Sequence, residues 1–374
     1  MPPDQNNTGG ACRKVCRPLL FVRPEVLRLY PGLFRSMLVG FVGSSYRPAL
    51  AGPQGSDFYK VLCPSVEVFE YPQGWQFRSW SRPMQEFLEL IYSYRPTVLH
   101  GVWPAHARLL RFLSDCFEVP YILSFFDFPT KLFSRLFPFE QADALTAASE
   151  PILQAVRQNG RGQLPPIHLI RPGCYAEDTC VCFSDPSRLP SLVLAHPLDR
   201  AESLEPFLQA LRHLRLDGFD FFAAILGSGR AEHAVRRRVR NLGLRANAIV
   251  VPMEESIRDV LSGADIFVYL NPVRRFEPLL LEVMGTGLAI AGAPDPAGGL
   301  LQDGKTALWL EPNNELSIYT ALKKLLSRPE LARQLAAAAQ DYVRRHHPVS
   351  RMIEQLIELY LSVRKQSSDS RKTP

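Results

Sequence analysis

From Met84 onward, apolar positions switch repeatedly between two periods. Phe87, Leu88, Leu90 and Ile91 recur at helical spacing up to Arg95-Pro96, and Thr97-Val98-Leu99-His100 then forms a short continuous run of the β type. The same exchange predicts helices over residues 105–117 and 150–158, the second stopped by Asn159-Gly160. It predicts strands over residues 120–124, 145–147 and 167–170. Residues 171–190 have no period and hold three Cys and three Pro. Beyond them, strands are expected at 191–195, 221–226, 248–251, 266–270 and 289–291, separated by helices near 204–214, 232–242, 256–262 and 278–284. A strand is also expected at 307–310, and three helices near 315–327, 329–345 and 349–364 close the pattern before a polar tail. Before Met84 the pattern is irregular, with strands expected at 19–22 and 66–69 and a helix over 27–42.

This alternation is that of an α/β protein with parallel sheets and helices on both faces, built as two βαβ-type units in series. The unpatterned loop places the boundary between them. Composition agrees: 374 residues, 46% hydrophobic and 21% charged, suit two or three globular domains and exclude wholesale disorder. No apolar run is long enough for a membrane-spanning helix, and the start Met1-Pro2-Pro3-Asp4 lacks the features of a signal peptide. The 7 cysteines are odd in number and form no Cys-x-x-Cys pair, which points to reduced thiols in a cytosol. The excess of 43 Lys+Arg over 37 Asp+Glu suits an anionic small substrate, a membrane surface or nucleic acid equally.

In parallel α/β units, ligands sit at the carboxyl ends of the strands. Four places there carry candidate chemistry. Gly227-Ser228-Gly229 joins a strand to a helix and is either a phosphate-approaching turn or a tight βα connection. Glu282 interrupts the apolar face of a short helix, either as a bidentate acceptor for ribose hydroxyls or as one end of a surface ion pair. His100 ends one strand and is suited to acid/base work or to packing. Asp127 follows another, facing the cleft or opening a turn. The run Arg236, Arg237, Arg238 and Arg240 reads as a solvated helix face, and no aromatic platform accompanies it for nucleic acid. Residues 131–137 mix bases with large apolar side chains, as an anionic membrane surface or a neighbouring helix would require. No metal constellation is present, and Gly299-Leu300-Leu301-Gln302-Asp303-Gly304-Lys305-Thr306 matches a P-loop formally but precedes a strand instead of opening a helix.

Taken in order, these segments resemble glycosyltransferase family 4, enzymes of the GT-B fold, from about Arg95 to about Arg364. The resemblance is carried by Arg95-Pro96-Thr97-Val98-Leu99-His100, Ala142 to Glu150, Ile225-Leu226-Gly227-Ser228-Gly229, Gly263-Ala264-Asp265-Ile266 and above all Glu282-Val283-Met284-Gly285-Thr286-Gly287. It implies two Rossmann-like domains facing across a cleft. Residues 1–172 form the acceptor side, 173–190 a linker, 191–348 the nucleotide-sugar side, 349–364 a helix crossing back, and 365–374 a flexible tail.

It further implies a retaining, metal-independent transfer with no cofactor beyond the nucleotide-sugar co-substrate. The acceptor is a glycan or lipid-linked glycan, in polysaccharide or glycoconjugate biosynthesis, and the location is cytoplasmic, at the inner face of the cell membrane. On this resemblance Glu282, Gly227, Gly229, Arg200, Arg274, Arg275 and Leu279 bind the donor, and Glu277, Asp127 and His100 serve catalysis. Several family positions are altered. The Glu expected eight residues before Glu282 is Arg274, the cations expected after the first strand of the second domain fall on about Pro197 and Glu202, and the cleft His falls on Phe126. The altered positions also fit a second expectation, a catalytically degenerate homologue that binds or scaffolds a partner glycosyltransferase.

Overall fold

The structure is a computed structural model, and it describes residues 16–44, 46–56, 66–73, 82–129, 139–160, 162–252 and 257–370. In chain order the first unit runs β1 (Pro18–Phe21), α1 (Pro24–Leu29), α2 (Pro31–Gly43), β2 (Ala49–Pro53), β3 (Glu67–Tyr71), α3 (Arg82–Tyr94), β4 (Val98–Gly101), α4 (Ala107–Phe117), β5 (Tyr121–Phe125), β6 (Ala144–Ala147), α5 (Glu150–Asn159) and β7 (Ile167–Leu169). Its strands form one parallel 7-stranded sheet in the order β3-β2-β1-β4-β5-β6-β7. The second unit runs β8 (Ser191–Ala195), α6 (Glu205–Leu216), β9 (Phe222–Leu226), α7 (Glu232–Asn241), β10 (Ala248–Val251), α8 (Ile257–Ser262), β11 (Ile266–Tyr269), α9 (Pro278–Thr286), β12 (Ala289–Gly292), β13 (Leu308–Trp309), α10 (Glu315–Ser327) and α11 (Pro329–His346). Its sheet is parallel and 6-stranded, ordered β10-β9-β8-β11-β12-β13. A last helix, α12 (Val349–Ser370), returns to the first unit.

Two local outcomes differ from expectation. The helix expected over 27–42 is broken at Tyr30, because Pro31 has no N–H to continue the ladder and instead opens α2 as its first residue. Strand β2 was not legible. Ala, Gly and Pro carry little strand propensity, yet Ala49, Leu50 and Ala51 are fully buried between two parallel neighbours, where no polar alternation is needed.

Helix α9 is set by its ends. Pro278 occupies the first turn, where its missing N–H costs nothing, and Gly287 closes the helix at φ +82°. A side chain on Gly287 would also press on Cys180 of the linker. That linker, residues 173–190, is strapped to the second unit through Glu177 N–H to Gly285 O (2.9 Å), Cys182 N–H to Gly287 O (3.1 Å) and Phe183 N–H to the buried Asp265 carboxylate (2.7 Å).

Helix α12 lays Val349, Met352, Ile353, Leu356, Leu359, Tyr360 and Val363 into the apolar layer formed by α1, α2 and the sheet of the first unit. The helix expected to stop at Arg364 continues to Ser370. A second apolar layer runs unbroken from Phe125 and Phe139 of the first unit to Tyr269, Phe276 and Leu280 of the second. The carboxyl ends of the two sheets therefore meet across a packed seam.

Candidate active site at the interdomain seam

Strand β5 delivers Phe126-Asp127-Phe128 to the seam from one side. From the other, β11 delivers Tyr269 and the loop that carries Arg274-Arg275-Phe276-Glu277 into α9. These two loops pair with each other. Phe128 N–H donates to Arg274 O (3.2 Å) and Phe276 N–H donates to Phe126 O (2.6 Å), which sets Asp127 opposite Arg275 in an antiparallel bridge. In this register the two side chains leave the same face close together. They nevertheless make no ion pair. Asp127 Oδ1 and Arg275 Nε are both buried and have no hydrogen-bond partner. Among the described residues, the ion pair of Arg275 is with Glu277, at 3.8 Å. The Tyr269 hydroxyl, buried close by, also lacks a full hydrogen bond.

Burial dominates the electrostatics. It raises the Asp127 carboxyl to about 6, against the opposing pull of Arg275. Glu277 is likewise raised by burial, opposed by Arg275 and by the Leu279 N–H. Asp295, on the loop after β12, is raised by burial while it accepts from Gly298 N–H at 2.9 Å. Burial thus weakens the acidity of three carboxyls, Asp127, Glu277 and Asp295, and Arg275 opposes it at the first two.

Around it, the Tyr30 ring stacks on Phe126 (centroids 6.0 Å apart) and its hydroxyl donates to Phe276 O at 3.4 Å. The Arg274 guanidinium lies over the Phe128 ring, 5.3 Å from its centroid. Glu282 points from α9 toward the first turn of α2, so that a methyl built on Gly32 would overlap its Oε1. Burial raises the Glu282 carboxyl, with Arg258 and Arg35 opposing. Ser149, the N-cap of α5, donates its hydroxyl to Ala297 O across the seam.

The expected residues are placed as follows. Asp127, Arg274, Arg275, Glu277, Leu279 and Glu282 converge at the seam. His100 does not. It is 2% exposed, with Nδ1 bonded to the Tyr360 hydroxyl (2.7 Å) and Nε2 to Ser124 Oγ (2.7 Å), and burial lowers it to about 4. Both ring nitrogens are engaged inside the sheet–helix layer, so His100 is a packed, neutral imidazole with no face for a substrate, which corrects the acid/base expectation. Gly227 and Gly229 stand after β9, and their contacts are with the loop after β8. A Cβ on either would strike His196 O or Leu198 O, so the glycines are needed for close backbone approach. Arg200 is exposed on that same loop. Residues 131–137 lie outside the described residues. Among the described residues, no group of three or more His, Cys, Asp or Glu is arranged to hold a metal ion, and no helix is long and apolar enough to cross a membrane.

Sequence reasoning missed Tyr30, Gly32, Tyr269, Asp295 and Arg258. Tyr269 had a signal, as the last residue of a strand whose carboxyl end faces the cleft. Tyr30 and Gly32 lie where the pattern is irregular and come into play only through tertiary packing.

Two facing parallel α/β units with this seam define the GT-B architecture. Residues 187–342 match the family described as glycosyl transferases group 1. Solved structures of the same fold include a glycosyltransferase from Rickettsia africae (15% identity, 94% of this chain and 99% of that one, TM-score 0.73). Anabaena HepE in complex with UDP is another (13% identity, 93% and 100% covered, TM-score 0.74). A third is sucrose-phosphate synthase from Thermosynechococcus elongatus (13% identity, 93% and 99% covered, TM-score 0.71). No curated protein sequence matches the chain.

Proposed function

We propose that the seam binds a nucleotide-diphosphate sugar and transfers its sugar to a glycan or lipid-linked acceptor. The observation that carries this reading is the pair of buried, unpartnered atoms on opposite sides of the seam, Asp127 Oδ1 and Arg275 Nε. Buried polar atoms are almost always satisfied, and an unpaired acceptor on one strand opposite an unpaired N–H donor on the other are a pair that one sugar hydroxyl can satisfy, since it both donates and accepts. Arg275 and Arg274 supply positive charge for a departing diphosphate, Glu277 and Asp127 orient sugar hydroxyls, and Glu282 takes the ribose diol. HepE, solved with UDP and with UDP-glucose, supports a uridine nucleotide as the first donor to try. Retention, independence of metal and a place at the inner face of a membrane belong to the same proposal, and rest on the resemblance alone.

The test is release of nucleoside diphosphate from a panel of nucleotide-sugars in the presence of acceptor glycans. Arg275→Ala is expected to lower kcat about 100-fold or more, the scale seen when one charge-stabilising donor is removed. A variant that turns over as fast as the parent sinks this assignment. A second reading, binding or scaffolding without transfer, is favoured by Arg274, which rests on Phe128 where a carboxylate was expected. It predicts nucleotide binding, or partner binding, with no turnover.

A further inference from the structure

Tyr269 is the last residue of β11 and stands directly opposite Gly292 of β12. Its backbone is fixed there, because Ala293 N–H donates to Tyr269 O at 2.8 Å. Gly292 leaves the room it needs, since a Cβ on that glycine would stand 2.9 Å from the Cβ of Tyr269. The ring belongs to the apolar layer that runs through both units, and the residue is 5% exposed. A phenylalanine would fill this layer equally well. The hydroxyl adds a polar group that is costly to bury unbonded, and among the described residues no partner meets full hydrogen-bond geometry with it. The Val273 N–H approaches its oxygen without completing a bond, so what the hydroxyl has to offer is its proton. Its charged neighbours are Glu277, Asp295 and Arg275, and Tyr30 of the first unit feels it in turn, so the hydroxyl lies at the seam. The Asp295 carboxylate is engaged by Gly298 N–H at 2.9 Å, and Glu277 by the Leu279 N–H. Two carboxyls against one arginine disfavour an anion at this point. A neutral hydroxyl is the group suited to accept from the phenol.

We propose that Tyr269 is a specificity-determining residue of the seam: its hydroxyl donates to one hydroxyl of the donor's sugar, so that the chain takes a neutral hexose and rejects the analogue lacking that hydroxyl. The proposal rests on the reading of the seam as the donor site. Asp127 Oδ1, Arg275 Nε and the Tyr269 hydroxyl then offer the sugar one acceptor and two donors. Discrimination follows from burial. When the sugar hydroxyl is missing, the phenol stays buried and unbonded, and the whole cost of that falls on the wrong substrate. A strand end suits the task, because a side chain rooted in the sheet holds its polar atom more exactly than one on a loop.

The test is calorimetric binding of UDP, UDP-glucose and the monodeoxy analogues of UDP-glucose to the full chain, as parent and as Tyr269→Phe. The parent is expected to bind UDP-glucose about tenfold or more tightly than one of the analogues. Tyr269→Phe is expected to bind UDP within about twofold of the parent, to lose about tenfold or more for UDP-glucose, and to hold that analogue and UDP-glucose alike. Unchanged binding of UDP, which carries no sugar, is the readout that a merely structural role of the ring does not give. Loss of UDP and UDP-glucose by the same factor overturns the proposal. So does a variant that separates the analogue from UDP-glucose as the parent does, and so does a parent that binds every analogue as tightly as UDP-glucose. A parent that binds neither UDP nor UDP-glucose overturns it too, but by failure of the uridine-donor reading. Parent binding of UDP therefore tells that failure apart from an error about Tyr269.

Discussion

Asp127 is held by two opposing influences. Burial raises its carboxyl to about 6, while Arg275 across the bridge draws it down without touching it. In the unfolded chain an aspartate titrates near 4. The folded state therefore holds the proton more tightly between about pH 4 and 6, and stability falls as pH rises through that window and stays lower above it. Asp127→Asn removes the charge. It is expected to stabilise the ligand-free chain by about 1–2 kcal/mol at pH 7.5, after allowance for the half-exposed setting, while lowering turnover sharply. Urea melts of both chains at pH 4.5 and 7.5 measure it, and equal stability at both values contradicts the assignment. A residue that costs stability and supports function marks a working site.

Much at this scale could be seen in the sequence. Glu282, Glu277, Asp127 and the two arginines stand at predicted strand ends or beside a recognisable motif; the fold brings Asp127, Arg275 and Glu277 together and sets Glu282 against Gly32 of α2. His100 stood at a strand end too, but whether such a side chain faces the cleft or the helix layer is decided by packing partners such as Tyr360, 260 residues away.

At the scale of elements, that histidine has a different consequence. Tyr360 on α12, His100 on β4, Ser124 on β5 and Thr146 on β6 form one buried chain of hydrogen bonds. It ties the returning helix to the two strands whose ends carry Asp127 and Ser149 to the seam. Tyr360→Phe leaves a buried ring nitrogen without its partner and is expected to cost about 1–3 kcal/mol, read from the shift of the urea midpoint. A loss below about 0.3 kcal/mol means the relay is not structural. The imidazole also sets an acid limit. Its folded value near 4 lies below the ordinary 6.5, so the unfolded chain binds the extra proton and stability falls as pH drops below about 6.5. At pH 5 that costs about 2 kcal/mol, and His347, lowered to about 4 by burial, adds to it. A melting temperature that does not change between pH 7 and 5 contradicts this assignment. The strands and helices themselves were legible from Met84 onward because βαβ units alternate two clear periods. Strand β2 and the split at Pro31 were not, since the first is made of weak β formers and the second depends on a single backbone N–H.

For the molecule as a whole, the seam is both the proposed site and the joint. Two sheets present their carboxyl edges to each other, one apolar layer runs through both units, and α12 and the linker strap the units together. The fold was accessible from sequence because it depends on the order of strands and turns. The closeness of the seam was not, since Tyr30, Gly32 and the loop pairing are contacts between residues some 150 to 250 positions apart. The central claim is that this seam takes a nucleotide-sugar, and nucleotide binding tests it most directly. Thermal melts of the full chain with millimolar UDP, GDP, ADP, CMP and their sugars, beside Glu282→Ala, are expected to show one nucleotide class raising Tm by several degrees, with the shift lost in the variant. A well-folded chain whose Tm moves with none of them, or a shift that survives in Glu282→Ala, contradicts the account.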